Sequence, residues 1–225
     1  MYELTYNPSV GIRICLGESP YLFHFFRKDY GFESWITALC DKQIPACEAK
    51  PRLHEDAAVC FTDIPITRMV KYLDEENSMF SGYAIGFNRD MMYDSVGARP
   101  VIYGSDKDEE DLRNTKQHWR FVNLDVRKND YSWQHEWRVN RDYFEFTDIV
   151  EEDRNNRSSY PRFIVVAPSK EQLYKDQPKM NFLNLDKPSV KYNCITLDAI
   201  RRCESDTMLQ LNTLVFRTVS PVNSI

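Results

Sequence analysis

Apolar runs of strand length alternate with short polar breaks along most of the chain. Tyr21-Leu22-Phe23-His24-Phe25-Phe26 is apolar apart from one histidine and predicts a buried strand. Phe32, Trp35, Ile36 and Leu39 then recur with helical spacing, bracketed by Gly31 and Pro45. Residues 46–56 are polar and contain proline, which predicts a loop. Ala57 to Ile66 predicts a strand stopped by Pro65. Thr67 is placed to cap a helix reaching about Asn77, with Met69, Val70 and Leu73 inward.

Further along, Tyr83-Ala84-Ile85-Gly86-Phe87 and Pro100-Val101-Ile102-Tyr103 predict two more strands. Between them Asn88 can cap a helical turn that holds Met91 and Met92. Ser105 to Trp119 is acidic and reads as a solvated helix, and Glu136 to Phe146 reads as extended. Glu151 to Ser159 is a polar loop or hairpin tip. Phe163 to Ala167 is the clearest buried strand, closed by Pro168. A short helix near Lys170–Lys175, a strand near Val190–Thr196 and a turn over Leu197–Arg202 follow, and the tail from Leu209 to Val219 alternates weakly. Strands outnumber long helices and do not alternate strictly with them, which favours an α+β domain over a doubly wound sheet.

Composition narrows this picture. A chain of 225 residues, 42% apolar and 13% aromatic, suits one domain over 1–225 with a sizeable core. No apolar run reaches membrane-spanning length, and Met1-Tyr2-Glu3-Leu4 opens no secretory leader, so a soluble cytoplasmic protein with no membrane partner is expected. The six cysteines, Cys15, Cys40, Cys47, Cys60, Cys194 and Cys203, include no C-x-x-C pair and several sit in apolar runs. Reduced thiols, with neither a disulfide framework nor a structural zinc, are therefore expected. The net charge of −5 speaks against a broad nucleic-acid footprint but leaves room for a small basic patch.

Candidate chemistry lies on the strands. In His135-Glu136-Trp137-Arg138-Val139, alternation puts Glu136, Arg138 and Asn140 on one face and Trp137 with Val139 on the core face. Glu136 and Arg138 can be a plain surface ion pair. They can also be a carboxylate held rigidly at the lip of a cleft, where its field would stabilise positive charge developing on a sugar ring. His24 reads as a satisfied core histidine unless it has partners. Asp63, between apolar residues in Cys60-Phe61-Thr62-Asp63-Ile64-Pro65, reads as a turn or cap residue unless a cleft lies beside it. Asp125, Glu136 and Arg138 loosely suggest a magnesium-dependent nuclease. No nucleophile elbow, zinc-protease helix or phosphate-binding glycine loop is present.

Taken in order, His24-Phe25-Phe26, Cys60-Phe61-Thr62-Asp63-Ile64-Pro65, Tyr83-Ala84-Ile85-Gly86-Phe87, Pro100-Val101-Ile102-Tyr103 and Glu136-Trp137-Arg138 resemble the AbiGi family of abortive-infection proteins over about residues 20–170. More distantly the series resembles ADP-ribosyltransferases of the DarT kind. That likeness implies a mostly antiparallel split sheet with flanking helices and NAD as cofactor. It implies a catalytic role for Glu136 and a cleft shared with His24 and Tyr83; Phe61 and Asp63, a carboxylate in an apolar segment, and Arg138, on the face of Glu136, are expected beside that cleft, with no metal. In such enzymes the histidine holds the NAD ribose, the tyrosine packs on nicotinamide and the glutamate orients the nicotinamide ribose. The expected role is the toxic effector of an antiviral toxin–antitoxin pair, modifying DNA, RNA or protein. A non-catalytic antitoxin on the same sheet is the alternative. Two departures from the family pattern stand out: Phe26 replaces a threonine, and Ala84 replaces a glycine.

Overall fold

The computed structural model describes residues 19–46, 57–128, 130–150, 161–172, 175, 193–202 and 216–217. Among these residues are twelve strands, β1 (Tyr21–Arg27), β2 (Gln43–Pro45), β3 (Val59–Thr62), β4 (Phe80–Asn88), β5 (Arg99–Pro100), β6 (Ile102–Gly104), β7 (Phe121–Asn123), β8 (Glu136–Val139), β9 (Tyr143–Glu145), β10 (Phe163–Ala167), β11 (Asn193–Thr196) and β12 (Phe216–Arg217). Eight of them form one sheet in the order β12-β11-β10-β4-β1-β3-β8-β5, antiparallel except where β10 runs parallel to β11. β2–β9 and β6–β7 are separate two-stranded ribbons. The helices named here are α1 (Gly31–Asp41), α2 (Ile66–Leu73), α3 (Asp106–Leu112) and α4 (Leu197–Ile200). The α+β reading, with a mostly antiparallel sheet and flanking helices, therefore holds.

The sheet is buried on both faces, which explains why β1 and β10 read as continuous apolar runs rather than alternating ones. Leu22, Phe26, Tyr83, Ile85 and Phe87 point to one face, where Trp35, Ala38 and Leu39 of α1 and the β2–β9 ribbon cover them. Tyr21, Phe23, Phe25, Ala84 and Ile164 point to the other, under Ile66, Met69 and Val70 of α2 and Leu197 and Ile200 of α4. At the centre Gly86 sits opposite Phe23 on β1 and Ile164 on β10. A Cβ on Gly86 would come within 2.6 Å of the Phe23 ring and 2.8 Å of Ile164. Packing thus accounts for the glycine in this strand.

Several boundaries differ from the sequence expectation. β3 ends at Thr62 rather than running to Pro65, which instead takes the N-cap position of α2. Thr67 consequently lies inside that helix. Pro100–Tyr103 divides into β5 and β6: the Val101 N–H still bonds to the Glu136 carbonyl at 3.0 Å, and from Ile102 the chain pairs with β7 instead. The expected acidic helix shortens to α3, capped by Ser105 and Asp108 in a capping box. Glu136–Phe146 folds as two strands in different sheets, β8 and β9. Asn88 caps its turn as expected, accepting from the Met91 N–H at 3.0 Å. Glu151–Ser159 and most of the Leu209–Val219 tail lie outside the described residues.

Candidate functional site

β1 and β3 pair through a single register position, Phe23 opposite Thr62. Beyond it the two strands do not continue their ladder, although β1 runs on to Arg27 and β3 back to Val59. On its other side β1 also loses register: between Phe25 and Arg27 the single residue Phe26 faces Ser81, Gly82 and Tyr83 of β4. Such irregularities bend a strand and frequently border a site. The parting leaves a cavity of about 890 Å3, within the usual range for small-molecule clefts. Residues from both faces of the sheet line it, Phe25 and Met69 from one and His24 and Ala38 from the other.

His24 forms part of the β1 wall. Its Nδ1 lies 2.8 Å from the Cys60 carbonyl, so the side chain stands where a ladder bond is missing. A carbonyl only accepts, so the proton sits on Nδ1 and Nε2 is the acceptor side of a ring that lines the cavity. The rings of Phe26 and Phe61 meet it edge-on at 4.8 and 5.9 Å. Burial pulls the imidazole below its ordinary pKa of 6.5, against the weaker opposing pull of the Cys60 bond, so His24 is neutral at pH 7.

Glu136 forms part of the opposite wall and is 12% exposed at its side chain. Its Oε1 accepts from Arg138 Nε at 2.8 Å. Alternation predicted this shared face, but the face is not open surface: Arg138 is 19% exposed, and its Nη1 donates to the carbonyls of Trp119 and Phe121 at 3.0 and 3.1 Å. Burial disfavours the Arg138 charge, but Glu136 and the Cys60 thiol outweigh it and hold the guanidinium above its ordinary range. With Oε1 so engaged, Oε2 takes no hydrogen bond from the described residues. Thr62 lines the same wall, and its hydroxyl donates to the Gln134 carbonyl at 2.5 Å.

The other expected site residues divide. Phe61 lines the cavity, and it also packs on Phe87 and Phe144 in the core. Arg138 acts from behind Glu136 and is outside the described lining. Asp63, 6% exposed, also stays out of the lining between Thr62 and Ile64, which line it. Its Oδ2 accepts from Trp137 Nε1 at 2.9 Å and lies 3.9 Å from Arg89, and its Oδ1 lies 3.3 Å from His135. Asp63 therefore fastens the start of β8 to the end of β3. Tyr83 is not brought to the cavity: it is 8% exposed and packs under α1, with ring centres 5.0 Å from Trp35 and 5.6 Å from Phe32. Strand parity puts it on His24's face, but the slip opposite Phe26 and the cover of α1 close it off.

Tyr103 was not singled out by sequence, although it ends the Pro100–Tyr103 segment. Its hydroxyl donates to the Tyr131 carbonyl at 3.2 Å and stands 3.5 Å from the Glu136 N–H. Burial, with the Glu136 charge adding to it, pushes that phenol above its ordinary range. Among the described residues no group of three or more His, Cys, Asp or Glu stands ready to hold a metal ion. No known family's sequence profile matches the chain, and neither a curated protein nor a solved structure does.

Proposed function

We propose that the protein is an NAD-dependent ADP-ribosyltransferase with the split-sheet fold of that class, acting as the toxic effector of an antiviral or abortive-infection system. The observation that carries the reading is the cavity between β1 and β3, which has an acceptor nitrogen of His24 in one wall and a carboxylate of Glu136 in the other. Two acceptors suit the hydroxyl donors of a ribose. Arg27 is the cation among the described lining residues and suits a phosphate. NAD would supply a ribosyl group already activated by its cationic nicotinamide. Glu136 would orient that ribose and set a negative charge where positive charge develops, while Arg138 holds the carboxylate in one rotamer. The acceptor would be DNA, RNA or protein. The ordered likeness of the strand motifs to the AbiGi and DarT families adds support.

A second reading, a non-catalytic antitoxin or binding module, draws on the position of Tyr83. Buried under α1, it cannot stack on a nicotinamide ring in the cavity. A magnesium-dependent nuclease has less behind it, because the nearest partner of Glu136 is a guanidinium rather than a second carboxylate.

Glu136→Gln tests the choice. It keeps size and hydrogen bonding but removes the charge, and transfer from labelled NAD in the presence of chelator is expected to fall on the order of 100-fold or more. Growth arrest on induced expression is expected to vanish at equal protein abundance. A variant that still arrests growth fully removes Glu136 from the chemistry. A wild-type chain that is harmless alone and protects cells from a second gene product establishes the antitoxin reading.

A further inference from the structure

We propose that Arg99 and Arg120, at the outer edge of β5, form a binding site for a phosphate group, separate from the cavity. Both guanidiniums are anchored on one short stretch of backbone. Arg99 Nη1 donates to the carbonyls of Ala98 at 2.7 Å and Tyr93 at 2.8 Å, and its guanidinium carbon lies 4.0 Å from the centre of the Tyr93 ring. Arg120 Nε donates to the Pro100 carbonyl at 2.8 Å, and its Nη1 to Gln117 Oε1 at 2.8 Å. Every one of these acceptors is neutral.

Among the described residues this cluster holds no carboxylate, whereas several other arginines have one beside them. Arg89 lies beside Asp63, Arg138 beside Glu136, and Arg201 beside Asp74. Among the described residues neither Arg99 nor Arg120 has such a partner, in a chain whose net charge is −5. Holding two like charges close together costs free energy that neutral carbonyls offset only in part. Burial and the charge of Arg99 together lower the pKa of Arg120, which agrees with that proximity. Among the described residues, Nε and Nη2 of Arg99 and Nη2 of Arg120 have no acceptor. Planar guanidinium forks with vacant donors match the oxygens of a phosphate. The source would be a backbone phosphodiester of a nucleic acid or the phosphates of a nucleotide, which share this chemistry.

The site also has a route to the cavity. Arg138 Nη1 is bonded to the carbonyls of Trp119 and Phe121, which flank Arg120, and Arg138 Nε holds Glu136. An anion on Arg120 would therefore rest on the segment that positions Glu136. The site does not depend on the cavity's being a transferase centre, and its test reads binding alone.

Inorganic pyrophosphate and a short single-stranded DNA oligonucleotide, each titrated calorimetrically into the full chain at two salt concentrations, are the probes. At least one is expected to bind, more weakly as salt rises. The double variant Arg99→Gln/Arg120→Gln keeps a donor for the backbone carbonyls but no charge, and is expected to lose about tenfold or more in affinity. Preferential binding of the oligonucleotide identifies a nucleic-acid backbone, and binding of pyrophosphate with no gain for the oligonucleotide identifies a nucleotide. If the double variant melts early, Arg99→Gln alone is compared instead. Failure of both probes to bind wild type, or equal binding by a folded variant, overturns the proposal.

Discussion

Across the cavity, His24 on β1 and Glu136 on β8 are both polar groups withdrawn from most of the surrounding water, and they are held in different ways. His24 is neutral, keeps one bond to a backbone carbonyl and is otherwise wrapped in rings. Glu136 needs Arg138, and Arg138 in turn needs the carbonyls of Trp119 and Phe121. Burying a charge costs far more than burying a neutral imidazole, so the charged wall recruits a chain of partners from β8, β7 and the turn before β7. The comparison teaches that the β8 wall is the more specified of the two and the less tolerant of change.

The largest expected effect falls on a cavity residue that is also part of the core. Phe61 is 3% exposed and touches His24, Phe87 and Phe144, so Phe61→Ala should cost about 3–5 kcal/mol in urea unfolding. The walls separate at the next step. Arg138→Ala strands a mostly buried carboxylate and should cost about 3 kcal/mol. His24→Asn, which keeps a donor for the Cys60 carbonyl, should cost about 1 kcal/mol. Equal losses from the two variants would break the comparison.

Gly86→Ala probes the backing of the β1 wall. The added methyl collides with Phe23 and Ile164, and a loss of about 1–3 kcal/mol is expected in the same assay. A neutral result would mean that β1 and β10 can spread apart, and that the wall is softer than its burial suggests.

The smallest effect is in pH dependence. Folded His24 titrates below 6.5, the value expected of the unfolded chain. As pH falls past about 6.5 the unfolded state binds the proton first, so stability present above that pH is lost progressively toward the folded pKa. His24→Asn should remove this part of the slope in melting temperature between about pH 7 and about pH 5. Parallel profiles for the two proteins would show that the imidazole is solvated rather than desolvated in its wall.

The strands that could be read from sequence were those whose apolar spacing is fixed by burial on both sides. β1 and β10 are of this kind; α1 was legible from its single buried stripe, Trp35, Ala38 and Leu39, and the Asn88 cap from a bond that is local. The strand ends were obscured by contacts made far along the chain. β3 stops early, and Asp63 turns its carboxylate to Trp137, 74 positions away. β5 and β6 separate at Val101, which bonds to the carbonyl of Glu136. In the site, Glu136 and His24 were legible as polar residues set in strands. Tyr83 was misplaced because nothing in its neighbourhood announces that α1 covers it. Tyr103 and Thr62 escaped notice because their partners, the Tyr131 and Gln134 carbonyls, are distant in sequence.

The two-residue strand β5 has a bearing on self-association. Edge strands offer unpaired backbone groups on which another chain can add a strand and seed aggregates. Here the ladder to β8 turns Val101 inward, so the backbone of Pro100 faces outward. Proline has no N–H to offer an incoming strand, and the Pro100 carbonyl is already taken by Arg120 Nε. A newcomer would meet one absent donor and one occupied acceptor, with a pair of positive charges beside them. This edge of the sheet is thereby closed to templated growth.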